Sequence, residues 1–161
     1  MQADDALINL YNEEGKIIGQ KVRSQIDKKR VILKGVYILI LNKKGEIFVT
    51  KPKDSVFQKQ WGCSAAGIVR AEETALESAK RTLQRETALK EQPLFLGERF
   101  HNFDGVKRFL NAFYVKTDKN PRINEADVQE GMWMKVENIE ENEMSPTFLA
   151  ALKLVKEELK W

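Results

Sequence analysis

The chain has 161 residues, 42% of them hydrophobic, which suits one compact domain with its own core and excludes two full domains or a largely disordered chain. Its 27 basic and 24 acidic residues leave a net charge of only +3, which argues against a nucleic-acid polymer or a membrane surface as partner. One cysteine and one histidine exclude an intramolecular disulfide and a multi-histidine metal site, so any metal would need the oxygen ligands that Mg²⁺ and Mn²⁺ prefer.

The first half of the chain is predicted to be mostly β structure. Residues 6–21 match a hairpin, and the charged residues 22–30 match a helical connector. The apolar runs 36–41 and 46–50, separated by a Gly-containing turn, predict a second hairpin. A short strand is expected at 61–66.

The second half is predicted to contain two helices. Thr74-Ala-Leu-Glu77 matches a capping box, so a helix is expected from about Thr74 to Leu89. Ser145-Pro146 supplies an N-cap followed by proline and predicts a C-terminal amphipathic helix. Strands are expected at 93–100, 106–116 and 132–136. This order predicts an α+β domain with a mixed sheet packed against helices.

Residues 67–89 resemble the signature of the Nudix family. That signature is a glycine, five residues, a glutamate, seven residues and then R-E-U-x-E-E-x-G-U, where U is a bulky aliphatic residue. Six of the nine defined positions match at unbroken spacing: Gly67, Glu73, Arg81, Leu83, Glu86 and Leu89. The resemblance implies an α/β/α sandwich with a mixed central sheet, formed by residues 1–161 as one domain with an N-terminal hairpin extension at about 6–21.

In the family, three glutamates on one face of the box helix hold divalent ions that bridge a diphosphate, and the ions activate the attacking water. Here the three positions are Thr82, Arg85 and Glu86, so two of the three carboxylates are missing. The resemblance also implies a metal ligand at the main-chain carbonyl of Ala66, and we add Glu130 as a candidate. We therefore expect Mg²⁺ or Mn²⁺ to bind weakly.

Other residues are assigned roles by the same resemblance. The catalytic positions of the family correspond to Glu73, Arg81 and Glu86. Of these, Glu73 and Arg81 are expected to brace the loop against the helix. The basic residues Lys51, Arg70 and Arg85 are expected to contact the phosphates of the substrate. The alternative is that basic side chains fall beside the cleft by chance, since the chain has 27 of them.

Two further segments resemble the Nudix branch related to isopentenyl diphosphate isomerase, namely residues 10–19 and 61–67. Isomerase activity itself is not expected. Where that enzyme has metal-binding histidines and a catalytic cysteine, this chain has Asp27, Leu33, Ala66 and Ile68.

The sequence thus predicts a Nudix hydrolase that acts on a nucleoside-diphosphate-linked or similar small diphosphate, weakly because metal-binding carboxylates are depleted. The alternative is a non-catalytic module that binds a nucleotide or a phosphate ligand. The pair Thr82 and Arg85 discriminates between them, since it disfavours metal but leaves phosphate binding open. A cytoplasmic location is expected, because residues 1–5 are not a typical leader and no apolar run has the length of a membrane span.

Overall fold

The computed structural model describes residues 5–53 and 60–161. Within them the elements follow the predicted order. The strands are β1 (Leu7–Tyr11), β2 (Ile17–Val22), β3 (Leu33–Leu41), β4 (Glu46–Pro52), β5 (Ala65–Ile68), β6 (Leu94–Phe103), β7 (Val106–Lys116) and β8 (Val128–Lys135). The helices are α1 (Ala75–Thr87) and α2 (Pro146–Leu159).

The main sheet has the strand order β6-β7-β3-β4-β8, and β5 also pairs with β3. Strands β3 and β7 are parallel, whereas β3 pairs antiparallel with both β4 and β5. The sheet is therefore mixed, as predicted. Strands β1 and β2 pair with each other as a separate antiparallel hairpin.

A helix covers each face of this sheet. The core under α2 includes Leu39, Leu110, Phe148 and Val155. The core under α1 includes Ile38, Phe113, Ala79 and Leu83. Alternate residues of β3 and β7 point to opposite faces, so each strand contributes to both cores. The α/β/α sandwich expected from the sequence is confirmed.

Helix α1 begins at the predicted capping box and ends at a left-handed residue that is not glycine. The side chain of Thr74 accepts a hydrogen bond from the Glu77 N–H, and the Glu77 carboxylate accepts one from the Thr74 N–H. The helix ends at Ala88, whose φ of 62° lies in the left-handed region, at the position where the family signature has glycine. No described helix is long and apolar enough to cross a membrane.

The connector at residues 22–30 is not the predicted helix. Only Arg23–Gln25 form a short 3-10 turn. The Asp27 side chain accepts a hydrogen bond from the Lys29 N–H, and such a local turn competes with helix formation. The segment still serves the fold, because the Arg23 N–H donates to the carbonyl of Ala6 and ties the end of β2 to the start of β1.

Strand β3 changes partner along its length. Residues Gly35–Ile38 pair with β5, whereas Ile40 and Leu41 pair with β4. The Ser64 hydroxyl joins the two partners, since it donates to the Phe48 carbonyl of β4 and accepts from the Ile40 N–H. This branch leaves β4 and β5 as neighbouring walls of a single cavity.

Candidate active site

A cavity of about 460 Å³ lies between β4, β5, α1, the residue before β8, the start of α2 and the N-terminal segment. Its charged lining residues are Arg23, Lys28, Arg70, Arg81, Arg85, Arg108, Glu86 and Asp127. The described wall thus carries six basic residues against two acidic ones. Such a wall attracts anions and raises the cost of holding a cation.

The Glu73–Arg81 pair braces the loop before α1. The Arg81 Nε lies 3.0 Å from Glu73 Oε2, and the Ser78 hydroxyl donates to Glu73 Oε1 at 2.7 Å. Burial raises the pKa of Glu73, but the hydrogen bonds from Arg81 and Ser78 outweigh it and hold the pKa below its usual value. Arg81 also reaches the carbonyl of Ile68, at 3.4 Å. The side chains therefore fix the loop to the helix.

Glu86 is the box carboxylate that faces the cavity. Burial, and then the nearby Asp127 carboxylate, raise the pKa of Glu86 to about 7. Its Oε2 atom is buried and has no hydrogen-bond partner among the described residues. The charges of Arg85 and Arg23 offset part of the increase. Glu86 is therefore a carboxylate with a free oxygen, able to take a proton or a cation near neutral pH.

Arg85 is paired rather than free. Its Nε and Nη2 atoms donate to the two carboxylate oxygens of Asp127, each at 3.1 Å. The Asn124 amide donates to the same carboxylate at 3.0 Å. The positive charge of Arg85 is thus largely neutralised by Asp127, and Asp127 is occupied in turn.

Thr82 occupies the other altered box position. Its side chain is buried, and its Oγ1 has no hydrogen-bond partner among the described residues. A Cβ at Gly67 would lie 2.7 Å from this oxygen, so the helix packs directly on the glycine of the loop. The box glycine is therefore required here for close approach, whatever the cavity binds.

The segment before β8 caps the C-terminal end of α1. The Arg122 N–H donates to the Thr87 carbonyl at 2.8 Å, and the Asn124 N–H donates to the Glu86 carbonyl at 3.1 Å. These carbonyls lack partners within the helix. The capping also positions Asp127, three residues after Asn124, beside the last turn of α1.

The structure brings most of the predicted site residues together. Five of them line the cavity: Ala66, Arg70, Arg81, Arg85 and Glu86. Glu73 is not among the residues of the cavity wall and instead pairs with Arg81, which is. Lys51 and Glu130 are cross-strand neighbours on β4 and β8 and are not among the described residues of the cavity wall. The Lys51 ammonium instead lies 4.7 Å from the centre of the Trp61 ring, an attractive cation–π contact.

Sequence reasoning missed several polar residues of the cavity wall, among them Asp127, Tyr37 and Arg108. Asp127 carries no motif, and only the folded loop brings it to α1. A signal did exist for Arg108, which has the same strand parity as the buried Leu110 and Ala112 and is therefore a charged residue at an inward-facing position.

Comparison with known proteins identifies the family of the chain. The chain matches the NUDIX domain family over residues 32–158. It belongs to the Nudix family. It is 29% identical over 153 residues to the uncharacterized Nudix hydrolase YfcD of Salmonella typhi, covering 91% of this chain and 83% of that protein.

Solved structures share the fold. The chain resembles DR0079 from Deinococcus radiodurans with a TM-score of 0.69 and 22% identity, over 81% of this chain and 84% of the other. It resembles the NUDIX domain of Shewanella oneidensis NrtR, solved in complex with ADP ribose, with a TM-score of 0.68 and 16% identity, over 84% and 95% of the two chains.

Proposed function

We propose that this Nudix protein slowly hydrolyses a nucleoside-diphosphate-linked or similar small diphosphate. The observation that carries the proposal is the Glu86 carboxylate, which holds an unpartnered oxygen at the wall of a cation-rich cavity. The basic side chains would attract the negatively charged diphosphate. The carboxylate could hold a cation or accept a proton beside it. The NrtR NUDIX domain was solved with ADP ribose, which supports a ligand of the nucleotide type.

The residues present fit one weakly held Mg²⁺ or Mn²⁺ ion. Glu86 and the Ala66 carbonyl offer hard oxygen donors, whereas Asp127 is engaged by Arg85. Within residues 5–53 and 60–161, no three His, Cys, Asp or Glu side chains group as a metal site would require. We therefore expect a dissociation constant for Mg²⁺ that is roughly millimolar or higher. When bound, the ion would neutralise the diphosphate and activate water.

The chain's own residues supply the remaining steps. Arg70, at the cavity wall, would bind phosphate oxygens and orient the diphosphate. Glu86 would hold the ion through one carboxylate oxygen, and its other oxygen would accept the proton that the attacking water loses. Glu73 and Arg81 would keep the Gly67 loop in place. Lys51 and Glu130 stay in the proposal only for a ligand that extends beyond the described wall.

Low activity follows from the two altered box positions. Thr82 offers a neutral oxygen, and Arg85 offers a cation that takes Asp127 out of use. We propose that the chain shares ancestry with the isopentenyl diphosphate isomerase branch but not its activity. Ala66 and Ile68 stand where the isomerase needs cysteine and histidine. A cytoplasmic location remains our prediction.

The test is to rebuild the carboxylates. Thr82→Glu with Arg85→Glu should increase Mg²⁺-dependent release of phosphate or nucleotide from a panel of nucleoside diphosphate compounds by about 10- to 100-fold. Thr82→Glu alone should gain little, since the new carboxylate pairs with the retained Arg85. Arg85→Glu alone should also gain little, since it supplies only two of the three box carboxylates. Gln84→Glu is the matched control, because Gln84 is exposed on α1 and does not line the cavity.

Two outcomes would contradict the proposal. A wild type already as fast as the double variant would show that the altered positions do not limit activity. A folded double variant that gains Mg²⁺ affinity without hydrolysis would favour a non-catalytic binding module on the same fold. Isothermal titration calorimetry with Mg²⁺ separates the two.

A further inference from the structure

Arg108 is a buried charge without a counter-ion. It is 6% exposed, and its guanidinium donates to the carbonyls of Val31 and Lys107 at 3.2 and 2.7 Å and to that of Lys28 at 2.6 Å. No carboxylate of the described residues forms an ion pair with it. Carbonyl dipoles compensate a buried charge only in part, so the guanidinium retains a strong attraction for an anion.

A second donor lines the same cavity beside Arg108. Tyr37 is 8% exposed, and its hydroxyl lies near the Arg108 guanidinium. Burial raises the pKa of Tyr37 to about 12, so the hydroxyl keeps its proton and can donate it in a hydrogen bond.

This group lies away from the box residues. Tyr37 packs in the core under α2, and Arg108 has the strand parity of Leu110 in that core. Glu86 instead lies on α1, which covers the opposite face of the sheet. The cavity reaches both groups. One ligand can therefore meet Glu86 and Arg108 at two different parts of its length.

We propose that Arg108 and Tyr37 form an oxyanion subsite for a second phosphate group of the ligand, distinct from the diphosphate at Glu86. The substrate class is then a nucleoside diphosphate that carries a further phosphate on its sugar. The identity of the ligand rests on the proposed function. The binding of an oxyanion by these two side chains does not, because it needs neither metal nor hydrolysis.

The first test uses inorganic phosphate with the full chain in EDTA. Phosphate should raise the unfolding temperature saturably, compared with chloride at equal ionic strength. Arg108→Gln should weaken phosphate binding by about tenfold, the cost of losing a charged hydrogen-bond donor. Arg99→Gln is the matched control, since Arg99 is an exposed arginine on the neighbouring strand β6 and does not line the cavity.

The second test asks whether the subsite binds a phosphate on the sugar of a nucleotide. In EDTA, adenosine 5′-diphosphate with a 3′-phosphate should bind about tenfold more tightly than ADP, and Arg108→Gln should abolish the difference. A wild type that does not distinguish the two compounds and does not respond to phosphate would overturn the subsite. Hydrolysis could still occur in that case, whereas intact binding with no hydrolysis would refute only the proposed function.

The proposal can be tested even if Arg108→Gln does not fold. Arg108→Gln removes bonds to three backbone carbonyls, so its fold is checked by circular dichroism. If it does not fold, Tyr37→Phe decides, because it removes one hydroxyl and keeps the buried ring. Phosphate should then bind about threefold more weakly than to wild type. Unchanged phosphate affinity in Tyr37→Phe would overturn the proposal.

Discussion

Helix α1 carries two ion pairs whose surroundings differ. Arg81 and Glu73 are 25% and 15% exposed, and they hold a loop in place. Arg85 and Asp127 are 37% and 29% exposed, and they lie beside the free carboxylate of Glu86. The first pair uses residues that the family signature specifies, whereas the second replaces one of them. The part of the motif that maintains the backbone can thus persist while the part that binds metal changes.

The largest expected effect comes from breaking the brace. Arg81→Ala leaves a mostly buried Glu73 without its cation and should lower the free energy of unfolding by about 2–3 kcal/mol. Urea denaturation followed by circular dichroism measures it. Arg30→Ala is the control, since Arg30 and Asp27 are 85% and 58% exposed and should contribute under about 0.5 kcal/mol. Equal effects at the two sites would contradict the comparison.

A smaller effect is expected when the second pair is converted to a carboxylate cluster. Thr82→Glu with Arg85→Glu places two new carboxylates beside Glu86 and Asp127, so in EDTA the protein should lose about 1–2 kcal/mol of stability through like-charge repulsion. Millimolar Mg²⁺ should restore it, measured as the shift in unfolding temperature. The wild type should shift little. An equal Mg²⁺ shift in both proteins would mean that Arg85 does not limit metal binding.

The difference in the pH dependence of stability between the wild type and Glu86→Gln isolates the contribution of Glu86. Its folded-state pKa of about 7 lies above the usual 4.5, so between these values the folded state binds more protons than the unfolded state. The contribution of Glu86 to stability should therefore fall as pH rises from about 4.5 to 7. Relative to Glu86→Gln, the wild type should lose about 1–2 kcal/mol between pH 4.5 and pH 8, allowing for solvent screening. A pH-independent difference between the two proteins would contradict the raised pKa.

The smallest effect concerns the end of α1. Ala88 adopts a φ of 62°, which glycine adopts without strain, so Ala88→Gly should stabilise the protein by about 0.5–1 kcal/mol. Thermal unfolding measures the gain. Lys160→Gly is a matched comparison, because Lys160 has a φ of 56° at the end of α2 and does not line the cavity. No gain at either position would show that the left-handed residues cost little.

Local signals predicted most of the fold. The box spacing placed Gly67 ahead of α1, the Thr74 capping box located the start of that helix, and Ser145-Pro146 located the start of α2. Each signal acts within a few residues, so its physical cause is contained in the sequence. The helix predicted at 22–30 does not form, because the turn at Asp27 outweighs the helix propensity of this segment.

The cavity was less predictable, because contacts distant in sequence build it. Arg85 and Asp127 are 42 residues apart, and Arg108 and Lys28 are 80 apart. No periodicity relates such pairs. The free carboxylate oxygen of Glu86 and the missing counter-ion of Arg108 are likewise properties of packing, which become visible only when neighbours are known.

The capping of α1 by residues 122–124 has a dynamic consequence. Because Arg122 and Asn124 donate to carbonyls of the last helical turn, fraying of that turn must release the loop as well. Glu86 and Asp127 would then open as one cooperative unit. Ligand bound at Glu86 should slow amide hydrogen exchange at Asn124 and Asp127 by the same factor as at Glu86, although the loop and the helix turn lie far apart in the sequence.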